Sequence, residues 1–118
     1  MPERKESRGF KLITRRQEQR LPPSVFRWLS QYKKKKGAHL YDYDNRRYLL
    51  ITLGEKPNAG YRLQLVKVEK GHNDTRIVVK VLSPAPGFVY PQIVTVPYLL
   101  AIVTGTPKVV DEATDALF

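Results

Sequence analysis

Tyr61-Arg62-Leu63-Gln64-Leu65-Val66-Lys67-Val68-Glu69, then a connection at 70–74, then Thr75-Arg76-Ile77-Val78-Val79-Lys80-Val81-Leu82: this stretch decides the fold. Ile77, Val79 and Val81 stand at alternate positions, the period of a strand with one buried face. Tyr61, Leu63 and Leu65 alternate too, but Val66 and Val68 fall in the opposite phase. A β-bulge near Leu65-Val66 returns both sets to one core, and burial on both faces is the alternative. Lys70 to Asp74 then reads as a hairpin connection.

Working outward from this hairpin, short strands recur between turn residues. Upstream, His39–Tyr43 and Arg46–Leu53 flank Asp44-Asn45, and Gly54–Gly60 is a loop. Downstream, Ser83–Pro91 is a second Pro/Gly loop and Gln92–Val103 is expected as a strand. Pro97 has no N–H to donate there and implies a bulge or an edge position. Residues 105–118 read as a tail, and 1–8 as a basic, disordered terminus. Phe10–Thr14 suggests a short strand. Pro22-Pro23 suits a helix start, and Val25, Trp28, Leu29 and Tyr32 follow at i, i+3, i+4, i+7. A helix near 23–35 is therefore expected, stopped by Gly37.

The fold class that follows is α+β or mostly β. One N-terminal helix packs on an antiparallel β sheet, which curls into a partial barrel or a sandwich, in a single domain over 9–104. If the strands at 38–43, 46–53, 61–69 and 75–82 form a simple meander, parity puts loops 54–60 and 83–91 at one end. The helix exit at Lys33–Lys36 joins them there.

The 118 residues suffice for one core, and 42% are hydrophobic. There is no cysteine, which excludes disulfides, thiolate metal sites and cysteine nucleophiles. No apolar run approaches a membrane span. Met1–Lys11 is charged and lacks an apolar core, so no secretory signal is expected; the sequence as written suits the cytoplasm, or secretion if a signal was removed. The charge of +10 is uneven: residues 1–36 hold twelve Lys/Arg against three acids, the remainder nine against eight. The basicity belongs to the N-terminal third.

Three sets of residues are candidates for function. In the first loop, Gly54 and Gly60 bracket Lys56, Pro57 and Asn58 and lead into Tyr61; a stiff loop of this kind loses little order on binding, though an ordinary turn has the same composition. In the second, Pro86, Gly87 and Phe88 complete a rim for a protein partner. The third set, Arg15, Arg16, Lys33, Lys34, Lys35 and Lys36, is the alternative, a binder of nucleic acid or an acidic surface: cations for phosphates, with Tyr32, Tyr41 and Tyr43 near enough to stack on bases. A lysine run in a last helical turn is equally explained by the helix dipole.

Leu53-Gly54-Glu55-Lys56-Pro57-Asn58-Ala59-Gly60-Tyr61 resembles the Gly-Glu-Lys-Pro-Thr-Gly-Gly-Tyr signature of the PrcB C-terminal domain family, named for a protease complex subunit. Ser83-Pro84-Ala85-Pro86-Gly87 and Thr95-Val96-Pro97-Tyr98 resemble its later Pro-x-Pro-Gly and Thr-Tyr-Pro-Tyr segments, in the same order. Asn58, Ala59 and Val96 depart from the pattern. The resemblance covers about residues 46–104 and implies a protein-binding β domain, an accessory or stabilising subunit of a protease complex. It supplies no catalytic residues. Lys56–Tyr61 is also similar in part to the Asn-Pro-Thr-Thr-Gly loop of chagasin-like peptidase inhibitors. The second glycine-rich loop and the Arg-Pro-Trp segment of those inhibitors have no counterpart, since Trp28 is the only tryptophan.

Catalysis has little to stand on. His39 and His72 are expected at opposite ends, Asp42 and Asp44 mark a turn, and no metal-ligand spacing or phosphate loop occurs. The expectation is a non-enzymatic binding domain with no cofactor and no metal.

Overall fold

Tyr48-Leu49-Leu50-Ile51-Thr52 is a run in which every residue is buried, so this strand must have protein on both faces. The computed structural model describes residues 9–71 and 74–118. Its elements are β1 (Phe10–Leu12), α1 (Arg15–Glu18), α2 (Pro23–Tyr32), β2 (Gly37–Tyr43), β3 (Arg46–Thr52), β4 (Arg62–Lys70), β5 (Asp74–Leu82), β6 (Tyr98–Val103) and β7 (Thr106–Asp111). One sheet has the order β1-β6-β3-β2 and is antiparallel throughout. The other has the order β4-β5-β7, with β4 antiparallel and β7 parallel to β5.

Two cores explain the doubly buried strand. Leu49 and Ile51 face the second sheet, where Leu65, Ile77, Val79 and Val109 meet Phe10, Ala101 and Val103. Tyr48 and Leu50 face the other way, onto Val25, Trp28 and Leu29 of α2. The layers are thus helix, four-stranded sheet and three-stranded sheet: a mostly β sandwich with a packed helix, open at its edges rather than closed as a barrel.

Local chemistry accounts for most of the elements. Asp44 and Asn45 both take positive φ, 52° and 62°, the conformation of a two-residue hairpin turn, so β2 and β3 pair without a shift. The β4–β5 register shifts between Leu65 and Lys67, which leaves Val66 as the extra residue. That bulge keeps Leu63, Leu65 and Val68 together on the core side, as the phase change in the sequence required. In α2, Pro23 takes the first turn and the apolar stripe faces β3 and β6.

Four expectations need correction. The meander breaks after β3: Gly54–Tyr61 carries the chain across to the other sheet, because β2 and β6 already occupy both edges of β3. The strand expected at 92–103 begins only at Tyr98; Pro91 and Pro97 lack N–H donors, and between them a single bridge joins Thr95 to Lys56. Residues 105–118 are no tail. Val109 and Val110 are buried in β7, and Phe118 N–H donates to the Val109 carbonyl, so the domain runs to Phe118. Finally, α2 ends at Tyr32, and α1 is an element not expected at all, set by a capping box between Thr14 and Gln17. The disorder expected at 1–8, and His72, lie outside the described residues. Among the described residues no helix is long and apolar enough to cross a membrane.

Candidate binding rim

The loop after β3 starts from a buried hydroxyl. Thr52 Oγ1 donates to the Lys33 carbonyl at the end of α2 and accepts the Gly54 N–H at 3.0 Å. Gly54 has φ 74°, and a Cβ on it would lie 3.1 Å from the Lys34 carbonyl oxygen. Helix exit and loop are therefore in direct contact, and glycine is required there on two grounds. Further on, Lys56 and Thr95 exchange backbone hydrogen bonds of 2.8 and 2.9 Å, and Thr95 Oγ1 donates to the Asn58 carbonyl. Asn58 Oδ1 accepts the Gly60 N–H at 2.8 Å. Ala59 N–H reaches the Pro91 carbonyl, and a Cβ on Gly60 would sit 2.9 Å from Pro84 Cγ.

Loops 54–60 and 83–91 do meet, through Ala59 and Gly60, and the first also touches the helix exit through Gly54, although the strands form no simple meander. Their roles differ. Gly54, Asn58 and Gly60 are spent on the loop itself, Lys56 holds Thr95 by its backbone, and Tyr61 is half-buried with Lys56 Nζ 5.2 Å from its ring. Pro57 is exposed at the tip. In the second loop Pro86 and Gly87 are exposed, with Gly87 at φ 84° in open space.

From Phe88 onward the chain displays apolar side chains. Phe88 is 71% exposed, Val89 98%, Ile93 59% and Val94 66%. Sequence reasoning found Phe88 but assigned Ile93 and Val94 to a strand and passed over Val89. The signal was available: two prolines six residues apart leave too few donors for a ladder.

Where the segment rejoins the sheet, Tyr98 anchors it. Its hydroxyl donates to Glu18, a buried carboxylate on α1 that also pairs with Arg15 at 2.8 Å. Arg15 lies 3.6 Å above the Tyr98 ring and donates to the Tyr98 carbonyl. Burial, then the hydrogen bond to Glu18, push the Tyr98 hydroxyl up to about 12, against the opposing charge of Arg15.

The basic set divides between two places in the chain, Arg15 and Arg16 on α1 and Lys33–Lys36 just after α2. Arg15 is occupied as described, and Arg16 is exposed on α1. Lys34, Lys35 and Lys36 are exposed and Lys33 half-buried. The nearby aromatics are already engaged: Tyr41 stacks on Trp28 at 5.3 Å, and Tyr32 packs on His39 at 5.3 Å. Tyr43 lies at the far end of β2. His39 Nε2 is 2.7 Å from the Lys35 carbonyl. At that far end Asp42 is held by Arg47, whose hydrogen bonds keep its carboxyl below the usual carboxylate range.

The rim can be set against known proteins. No solved structure matches the chain. Over 77 residues it is 31% identical to an uncharacterised protein of Methanocaldococcus jannaschii, covering 65% of this chain and 46% of that protein; the chain thus spans about half the length of that curated relative. The stretch from β3 to just past β6 contains both loops and the displayed apolar segment. Through that stretch, residues 47–104, the chain matches the PrcB C-terminal family.

Proposed function

We propose that this chain is a noncovalent protein-binding domain rather than a catalyst, and that it serves as an accessory or stabilising subunit beside a protease. One observation carries the reading: Phe88, Val89, Ile93 and Val94 stand exposed within one irregular segment. Apolar side chains grouped on a surface lose their contact with water when a partner covers them, and such patches mark interaction sites. The 54–60 loop supports the segment from behind through Thr95 and Pro91, so little order is lost on docking. The match to the PrcB C-terminal family over residues 47–104 supports a place beside a protease. The titratable groups singled out for chemistry favour binding over catalysis, since His39 and Asp42 are each held by a structural neighbour.

The test is co-expression with a protease encoded next to this chain, followed by size-exclusion chromatography. The expected result is co-elution that Phe88→Ser with Val89→Ser weakens by at least about tenfold. Changing Lys34, Lys35 and Lys36 to Gln should spare it. Substitution is the right probe of the basic third, because truncation at residue 20 would remove β1 and α1. Co-elution undiminished by the Phe88/Val89 change would sink the proposal.

A further inference from the structure

The outer strands of a sheet carry unpaired N–H and C=O groups, and proteins blunt such edges with proline, lysine, bulges or short length. Among the described residues the two sheets have four such edges, and three are blunted. β1 has only three residues, one of them Lys11. β4 carries the bulge at Val66 and the exposed charges Arg62, Lys67 and Lys70. β7 contains Pro107 and Lys108.

β2 has none of these devices. Gly37-Ala38-His39-Leu40-Tyr41-Asp42-Tyr43 lacks proline and lysine and pairs with β3 without a register shift. Its one charge, Asp42, is taken up by Arg47. Leu40 is 46% exposed and Tyr43 39%. Grooves flank the strand on both faces: one of about 700 Å³ beside Trp28, Tyr32 and Tyr41, the other of about 400 Å³ beside Leu49, Leu117 and Phe118. Ala38 and Leu40 line both.

The charges around β2 also complement their own reverse. Lysines 33–36 precede the strand, while Asp42 and Asp44 lie at and beyond its end. A two-fold axis normal to an antiparallel pair sets one residue against its own counterpart. Centred on Leu40, that operation places Lys36 of each copy across from Asp44 of the other.

We propose that β2 is a self-association edge, through which two copies pair antiparallel about an axis at Leu40 and join their four-stranded sheets into one. The apolar Leu40 contact lies at the centre, and two Lys36–Asp44 pairs fix the register at its ends. This charge order favours a second copy over a foreign peptide, because both complementary ends are present on the same strand.

Sedimentation velocity on the full chain, from about 10 μM to about 1 mM, should show a reversible monomer–dimer equilibrium. Leu40→Lys sets two charges face to face and should raise the dissociation constant at least about tenfold. Lys36→Glu should raise it by about tenfold, through two repulsive pairs. Adding Asp44→Asn to Lys36→Glu should recover part of that loss, and asparagine tolerates the positive φ at this position. All three variants change exposed residues and should melt close to the parent. A monomer throughout the range, or a dimer indifferent to Leu40→Lys, overturns the proposal. So does a dimer abolished by Phe88→Ser with Val89→Ser, which would move the contact to the rim. Additive losses in the double variant overturn the register.

Discussion

Loops 54–60 and 83–97 look alike as sequence, each punctuated by proline and glycine, but they use their atoms in opposite ways. The first turns inward. Backbone groups of Gly54, Lys56, Ala59 and Gly60 and the side chain of Asn58 are hydrogen-bonded within the molecule. The second turns outward, with Phe88, Val89, Ile93 and Val94 in water. The first loop makes a platform, and the second, tied to it at Pro91 and Thr95, makes a contact surface of its apolar side chains. A Pro/Gly composition alone cannot tell them apart, because it reports on the backbone and not on where the polar groups find partners.

The sharpest way to break the contrast is at the root of the inward loop. Thr52→Val keeps the shape but removes the donor to the Lys33 carbonyl and the acceptor for the Gly54 N–H. A buried N–H and a partly buried carbonyl lose their partner, which should cost about 2–3 kcal/mol in urea denaturation. Gly54→Ala should follow at about 1–2 kcal/mol. It imposes a Cβ on a positive φ and brings that carbon 3.1 Å from the Lys34 oxygen. A negligible cost for both would mean that the platform is not rigid.

How much of this could be read in advance depends on the range of the interaction. The β4–β5 hairpin and its bulge were legible because a phase change inside one strand is a local signal. The Asp44-Asn45 turn and the α2 stripe were legible for the same reason. β7 was not, since Val109 and Val110 form a strand only by lying parallel to β5, a pairing no turn residue announces. α1 did carry a local signal, the capping box of Thr14 and Gln17, and only its tie to the sheet is remote, since the Glu18–Tyr98 bond joins residues 80 apart. The displayed segment was half legible: Phe88 stood out beside Gly87, whereas Ile93 and Val94 imitate a strand until the missing donors of Pro91 and Pro97 are counted. Thr52 is an ordinary strand residue in sequence, and only the arrival of the α2 carbonyl makes it a hub.

Tyr98 marks the border between the outward segment and the sheet, and pH can test it. Its folded-state pKa is raised from 10.0 to about 12, so the neutral hydroxyl is the form the fold favours. Its contribution is therefore fully present below pH 10 and declines as pH rises toward 12, since the unfolded chain ionises first. Tyr98→Phe lacks this group. The melting temperature of the parent should exceed that of the variant by about 4 °C at pH 8, for one hydrogen bond to a carboxylate, and the gap should narrow between pH 10 and 12. Because the side chain is partly open to solvent, the narrowing should be well below what the full shift would give. A gap that stays constant would separate Tyr98 from the stability of α1.

The smallest effect is the most informative. Phe88→Ser with Val89→Ser removes two large apolar side chains, a change that in the core would cost several kcal/mol. Here neither lies in either core, and Val89 is 98% exposed, so stability should move by no more than about 0.5 kcal/mol. Solubility at high concentration should rise, because the exposed apolar area falls. A clear destabilisation would mean that Phe88 and Val89 close over the body of the domain in solution. The outward loop would then be a second platform, and the contrast with 54–60 would vanish. Unchanged stability with lost partner binding leaves these side chains one role, contact with another protein.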